Sequence, residues 1–183
     1  MDKFILPPSP NWQLSNILAC NDNGTLAYGS RSELSIINLK PNGSFDVSIL
    51  PIAHKEKLCV VVFSPINGSF KNCLATCGDD SMVRVWDFQE CRLLYCHSGH
   101  KDGLRVMGLD WSQADTNRLV SVNDLGSIVC WDLTSNTIRR LHCGTKVLPL
   151  TLACCPHDKD LVAIGCKGGV TLIVDTKGNG KLV

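Results

Sequence analysis

A handful of side chains in this sequence have the types and spacing to do chemistry. Cys154-Cys155-Pro156-His157 brings two thiols and an imidazole together, the ligand types of a zinc site. Neighbouring residues on a strand point to opposite faces, and no second cysteine pair completes the set, so no metal is expected. His54 precedes the carboxylates Asp79 and Asp80, but the pattern around them favours a structural role over an acid–base pair. Trp12 follows Pro7-Pro8-Ser9-Pro10-Asn11. The prolines forbid helix and favour extended geometry. The indole therefore sits on a stiff segment, where it either plugs a core or offers a face for stacking. Cys73 and Cys77 share a strand face about 13 Å apart by strand rise, so they cannot join in a disulfide without distortion. Arg139-Arg140 reads as a solvated strand edge that discourages edge pairing. The sequence has no P-loop, dinucleotide-binding glycine signature, nucleophile elbow or HExxH. It points to binding rather than catalysis, with no cofactor.

The elements that must position these residues are repeats. Asp79-Asp80-Ser81-Met82-Val83-Arg84-Val85-Trp86-Asp87 reads as an acidic turn, a strand and a Trp-Asp pair. It returns as Asn123-Asp124-Leu125-Gly126-Ser127-Ile128-Val129-Cys130-Trp131-Asp132. A weaker copy stands at Lys167-Gly168-Gly169-Val170-Thr171-Leu172-Ile173-Val174-Asp175. The closing aspartates are 45 and 43 residues apart. A period of about 40–45 residues with a strand-borne Trp-Asp marks a WD-repeat β-propeller, built from four-stranded blades. The expected fold is all-β. An extended, proline-rich leading segment covers 1–13, and about four blades of a larger propeller cover 14–183, with the last blade cut short and the chain read as a fragment. The first repeat is degenerate: Asn38 replaces the closing aspartate and Ser30-Arg31-Ser32-Glu33 replaces the acidic turn. Asn23-Gly24 and Asn42-Gly43 mark its hairpins.

In such repeats a histidine ahead of the first strand can bond the turn aspartate, a strand Ser or Thr, and the tryptophan. In the second repeat these are His54, Asp79 or Asp80, Thr76 and Trp86. In the third they include His100, Asp124 and Trp131. The network satisfies polar groups buried between strands and fixes the shape of the blade.

Composition narrows the partners. A formal net charge of +1 excludes a polybasic surface that coats DNA. Eleven cysteines sit mostly within apolar strand patterns, as reduced core thiols of a cytosolic or nuclear protein do. The first residues lack the apolar core of a signal peptide, and no run of about 18 apolar residues exists to span a membrane.

Two segments say more than the fold. Leu6-Pro7-Pro8-Ser9-Pro10-Asn11-Trp12 and Cys155-Pro156-His157-Asp158-Lys159-Asp160-Leu161-Val162-Ala163-Ile164-Gly165-Cys166-Lys167-Gly168-Gly169, in this order, resemble the start of the gemin-five family. These are the WD-repeat subunits of the survival-of-motor-neuron (SMN) complex. The resemblance implies two joined seven-bladed propellers that bind the uridine-rich Sm site and 7-methylguanosine cap of small nuclear RNA. It further implies delivery of that RNA for spliceosomal particle assembly with other SMN-complex subunits, in the cytoplasm and in nuclear bodies. Trp12 and Arg31 match family residues of the RNA-binding face, which favours the stacking role for Trp12. Gln13 stands where members can have tyrosine, which removes one aromatic surface. The competing expectation is a protein-binding WD-repeat scaffold or transcriptional co-regulator that binds no RNA.

Overall fold

The computed structural model describes residues 8–144 and 146–183. Part of the leading segment, including Leu6 and Pro7, lies outside the described residues. The described chain forms four antiparallel sheets of four strands each, every sheet in simple chain order. The first blade is β1 (Leu18–Cys20), β2 (Thr25–Ser30), β3 (Glu33–Leu39) and β4 (Phe45–Leu50). The second is β5 (Leu58–Phe63), β6 (Cys73–Gly78), β7 (Val83–Asp87) and β8 (Arg92–His97). The third is β9 (Val106–Trp111), β10 (Arg118–Asn123), β11 (Ser127–Asp132) and β12 (Thr137–His142). The fourth is β13 (Pro149–Cys154), β14 (Leu161–Cys166), β15 (Thr171–Asp175) and the two-residue β16 (Lys181–Leu182). The first strands line the inside of the arc, where β5 packs on β1 and β9, and β9 on β13. Trp86 and Trp131 occupy corresponding third strands, β7 and β11.

Local chemistry explains the turns. Gly24 and Gly43 take φ of 79° and 81°, the left-handed region that glycine reaches without steric cost. The closing aspartates bind the turn that follows them. Asp87 accepts the N–H groups of Gln89 and Glu90, and Asp132 accepts both the N–H and the hydroxyl of Ser135. Asn38 does something different: its Oδ1 accepts the Thr25 hydroxyl across the sheet at 3.0 Å.

The cores lie between blades. Leu34, Ile36, Leu58, Leu74 and Trp86 fill the first seam; Cys77, Val85, Leu109, Trp111 and Trp131 fill the second. Val120, Ile128, Leu152 and Ile164 fill the third. A Cβ on Gly108 would stand 2.8 Å from both the Leu152 Cβ and its backbone nitrogen, so only glycine lets β9 approach β13. This third seam also carries polar bonds. Arg118 donates to Asp160 at 3.0 Å and to the Thr176 hydroxyl at 2.6 Å, and Asp110 accepts the Cys154 N–H at 2.7 Å.

Candidate nucleic-acid interface

Strand alternation places two sets of connections at one end of the blades: the turns joining second and third strands, and the segments joining one blade to the next. Backbone bonds lace them together. Ser32 and Arg31 carbonyls accept the His54 and Leu58 N–H groups, Lys57 accepts Asp79, Arg105 accepts Asp124, and Leu148 accepts Lys167. The leading segment is fastened to this face by Asn11. Its Nδ2 donates to the carbonyls of Arg31 and Leu58 at 3.0 and 2.9 Å, its Oδ1 accepts the Arg31 N–H at 2.6 Å, and its own N–H donates to Gly29. Tyr28 Oη donates to the Pro8 carbonyl at 2.7 Å.

The clamp leaves the next residue outside. Trp12 is 80% exposed, so it fills no core. Lys57 Nζ reaches its carbonyl at 3.5 Å. Gln13 is exposed at φ 58° and Arg31 is exposed at φ 54°. Asn11, Arg31, Lys55 and Lys57 line one shallow depression. The same face exposes Lys101, Arg105, Lys146 and Lys167, against exposed carboxylates at Glu56 and Asp102. The face thus combines one exposed indole with exposed guanidinium and ammonium groups.

The second blade brings together His54, Thr76, Asp80 and Trp86. Trp86 Nε1 donates to Thr76 Oγ1 at 2.9 Å, Thr76 Oγ1 lies 2.8 Å from His54 Nε2, and His54 Nδ1 lies 2.9 Å from Asp80 Oδ1. With the hydroxyl donating to Nε2, Nδ1–H donates to the carboxylate; Arg84 Nη1 also lies 2.6 Å from Nδ1, so the guanidinium and the imidazole crowd the same carboxylate. Arg84 Nη1 donates to Asp80 Oδ2 at 2.8 Å, and the Lys55 and Met82 N–H groups complete the set. Burial works against ionisation of Asp80, yet the hydrogen bonds from His54, Arg84 and the Lys55 N–H outweigh it and hold the carboxyl well below the usual range. Asp79 stands outside this network. It accepts the Cys59 thiol at 3.2 Å, and burial together with that bond pushes the thiol up to about 12, so it remains a donor.

The third blade departs from the expected network. His100 Nε2 still meets Ser121 Oγ at 2.8 Å, but Trp131 Nε1 donates to Asn136 Oδ1 at 3.0 Å. Among the described residues His100 Nδ1 and Asp124 Oδ1 are buried without hydrogen-bond partners, and Asp124 makes a loose 3.8 Å approach to Arg105. The register gives the reason. At the 45-residue spacing that equates Trp86 with Trp131, Asp124 corresponds to Asp79, and Leu125 takes the place of Asp80. Leu125 is 57% exposed, so replacing it sacrifices no core. Leu125→Asp should supply the acceptor that His100 lacks and raise stability by roughly 1.5–3 kcal/mol, the range for a hydrogen bond to a charged group. A urea midpoint unchanged from wild type would show that the imidazole does not use it.

Sequence reasoning missed Asn11, Lys57 and Arg84. Asn11 hid behind the prolines. Arg84 had a readable signal, standing four residues beyond Asp80 on the strand that leaves the turn.

A family model described as RIG first beta-propeller matches residues 22–179. The chain is 28% identical, over 97% of its length, to Gem-associated protein 5 of Mus musculus, and 27% identical over the same share to that of Homo sapiens. It is 24% identical over 92% of its length to Component of gems protein 5 of Dictyostelium discoideum. It spans 12% of the length of the mouse and human proteins and 16% of the Dictyostelium protein. A chain in the "Crystal Structure of Mitotic Checkpoint Complex" superposes with a TM-score of 0.72 over 91% of this chain and 51% of that chain, at 17% identity. That likeness is one of fold alone.

Proposed function

The chain belongs to the RIG first beta-propeller family, and from that premise we propose that it forms part of an RNA-binding platform of the SMN complex. The ligand is small nuclear RNA, read at its uridine-rich Sm site, with its 7-methylguanosine cap, for assembly of spliceosomal particles. On this reading the protein works without catalysis, beside other SMN-complex subunits, in the cytoplasm and in nuclear bodies. The observation that carries it is the Asn11 clamp, which fixes the exposed Trp12 beside Arg31 on the cation-rich face. Prior fixing of the segment lowers the ordering cost of binding. An exposed indole stacks on any base, and a guanidinium pairs with phosphate or lies over a base. Gln13 offers amide edges but no ring, so Trp12 carries the stacking.

Fluorescence anisotropy with a short Sm-site RNA, across several salt concentrations, tests the reading. Trp12→Ala should weaken binding by about ten- to a hundredfold with little change in salt dependence, since stacking contributes about 1–3 kcal/mol per base. Arg31→Ala should weaken binding and flatten the salt slope if its partner is phosphate. Folded mutants that bind like wild type would remove both residues from the site. A wild-type protein that ignores this RNA and captures peptides would replace the reading with the scaffold one.

A further inference from the structure

The opposite end of the arc holds a concavity of about 450 Å³ where the first three blades meet. That volume lies within the range of ligand pockets. Its floor is built from the ends of β1 and β5, through Ala19 and Val62, and Ile66 stands at its rim, 46% exposed. Beside Asn21, Ser64 and Thr116, its polar lining includes three further side chains, Asp22, Asn67 and Gln113. None of the three has a side-chain hydrogen bond or ion pair among the described residues.

Asp22 is unusual for this end of the molecule. Asp87, Asp132, Asp158 and Asp175 each accept N–H groups of the turns that follow them, and Asp160 pairs with Arg118. In the turn that carries Asp22, the capping is done by Asn21, whose Oδ1 accepts the N–H groups of Asn23 and Thr25. Asp22 is therefore not needed to shape its turn. Among the described residues it is also the one charged residue lining the concavity.

We infer that this concavity is a docking site for a protein segment carrying an apolar side chain next to an arginine. The apolar side chain enters against Val62 and Ile66. The guanidinium, a planar fork of donors, meets the Asp22 carboxylate and the amide oxygens of Asn67 and Gln113. The same carboxylate repels a phosphate backbone, which favours a protein over a nucleic acid here. The site lies at the end opposite Trp12, so both could be occupied at once, and it stands independently of the RNA reading.

The test uses fluorescein-labelled nonapeptides with Leu-Arg at the centre of a Gly/Ser sequence, and Leu-Glu and Gly-Arg controls. Wild type should bind Leu-Arg in preference to both controls. Asp22→Lys should weaken that binding tenfold or more, because it sets like charges against each other, and Ile66→Ser should weaken it with no change in its salt dependence. Both positions are exposed, so thermal melts should match wild type. Sm-site RNA binding should be unchanged in both variants, and Trp12→Ala should leave peptide binding intact. Equal binding of Leu-Arg and Leu-Glu, unaltered Leu-Arg binding by Asp22→Lys, or no Leu-Arg binding by wild type would each overturn the inference, whatever the RNA result.

Discussion

Trp86→Ala should lower the stability of this protein by about 3–5 kcal/mol, the range for removing a large ring from a packed core. Trp86 is 8% exposed and packs with Leu34, Leu58 and Leu74 in the seam between the first two blades. Its loss opens a void and takes a donor from Thr76. Against a total stability of roughly 5–15 kcal/mol, that is a large fraction. Trp86→Phe separates the two effects: it keeps most of the ring but removes the N–H, and should cost about 1–3 kcal/mol. The measurement is the urea midpoint, with the slope of the transition unchanged. A cost below about 1 kcal/mol for the alanine variant would mean that the ring is not a core element.

Asp80→Ala should be comparably damaging, by about 3–5 kcal/mol, because it leaves charged groups buried without their partner. The Asp80 side chain is 4% exposed and that of Arg84 is 13% exposed. Removal strands the guanidinium, the His54 Nδ1–H and two backbone N–H groups at once. The same network makes the protein sensitive to acid. The Asp80 carboxyl is held below its unfolded value, so its contribution is complete above about pH 4 and is lost as pH falls toward the folded value. Histidines act earlier. Burial pushes His97 down to about 4 and His100 down to about 3. The unfolded chain takes up these protons near pH 6.5 while the folded one refuses them, so stability falls with pH from that point. Between pH 7 and 5 the loss should be about 2 kcal/mol per histidine. Urea midpoints across that interval measure it. A flat profile would mean that the two imidazoles are protonated in the fold.

The blades were legible because strand alternation, Asn-Gly turns and the Trp-Asp spacing all describe local structure, and each blade is a local meander. A short motif and a missing acidic turn singled out Trp12 and Arg31 as candidates. What brings them to one face was not legible. Asn11 acts through bonds to Arg31 and Leu58, which are contacts across the fold with no pattern in the chain. The third blade shows a different limit. Asn123-Asp124 looks like the acidic turn of the second blade, but a one-residue offset puts leucine where the histidine needs a carboxylate. Motif reading tolerates such an offset, whereas hydrogen-bond geometry does not. The charge balance was misleading for a related reason. A net charge of +1 sums over both ends of the blades and hides their unequal shares.

That unequal share bears on how fast a partner arrives. The face around Arg31, Lys57 and Lys167 carries a surplus of exposed cations, and the near-neutral total requires the remainder of the surface to offset it. A polyanion diffusing toward such a molecule is turned before contact, so a greater fraction of encounters meets the correct side. The effect belongs to association and fades with added salt, as the field is screened beyond roughly 8–10 Å. Departure is governed by short-range contacts such as a stacked ring, which salt touches little. An anionic chain would therefore find this face quickly at low ionic strength and slowly at high, while the lifetime of the complex stays nearly constant.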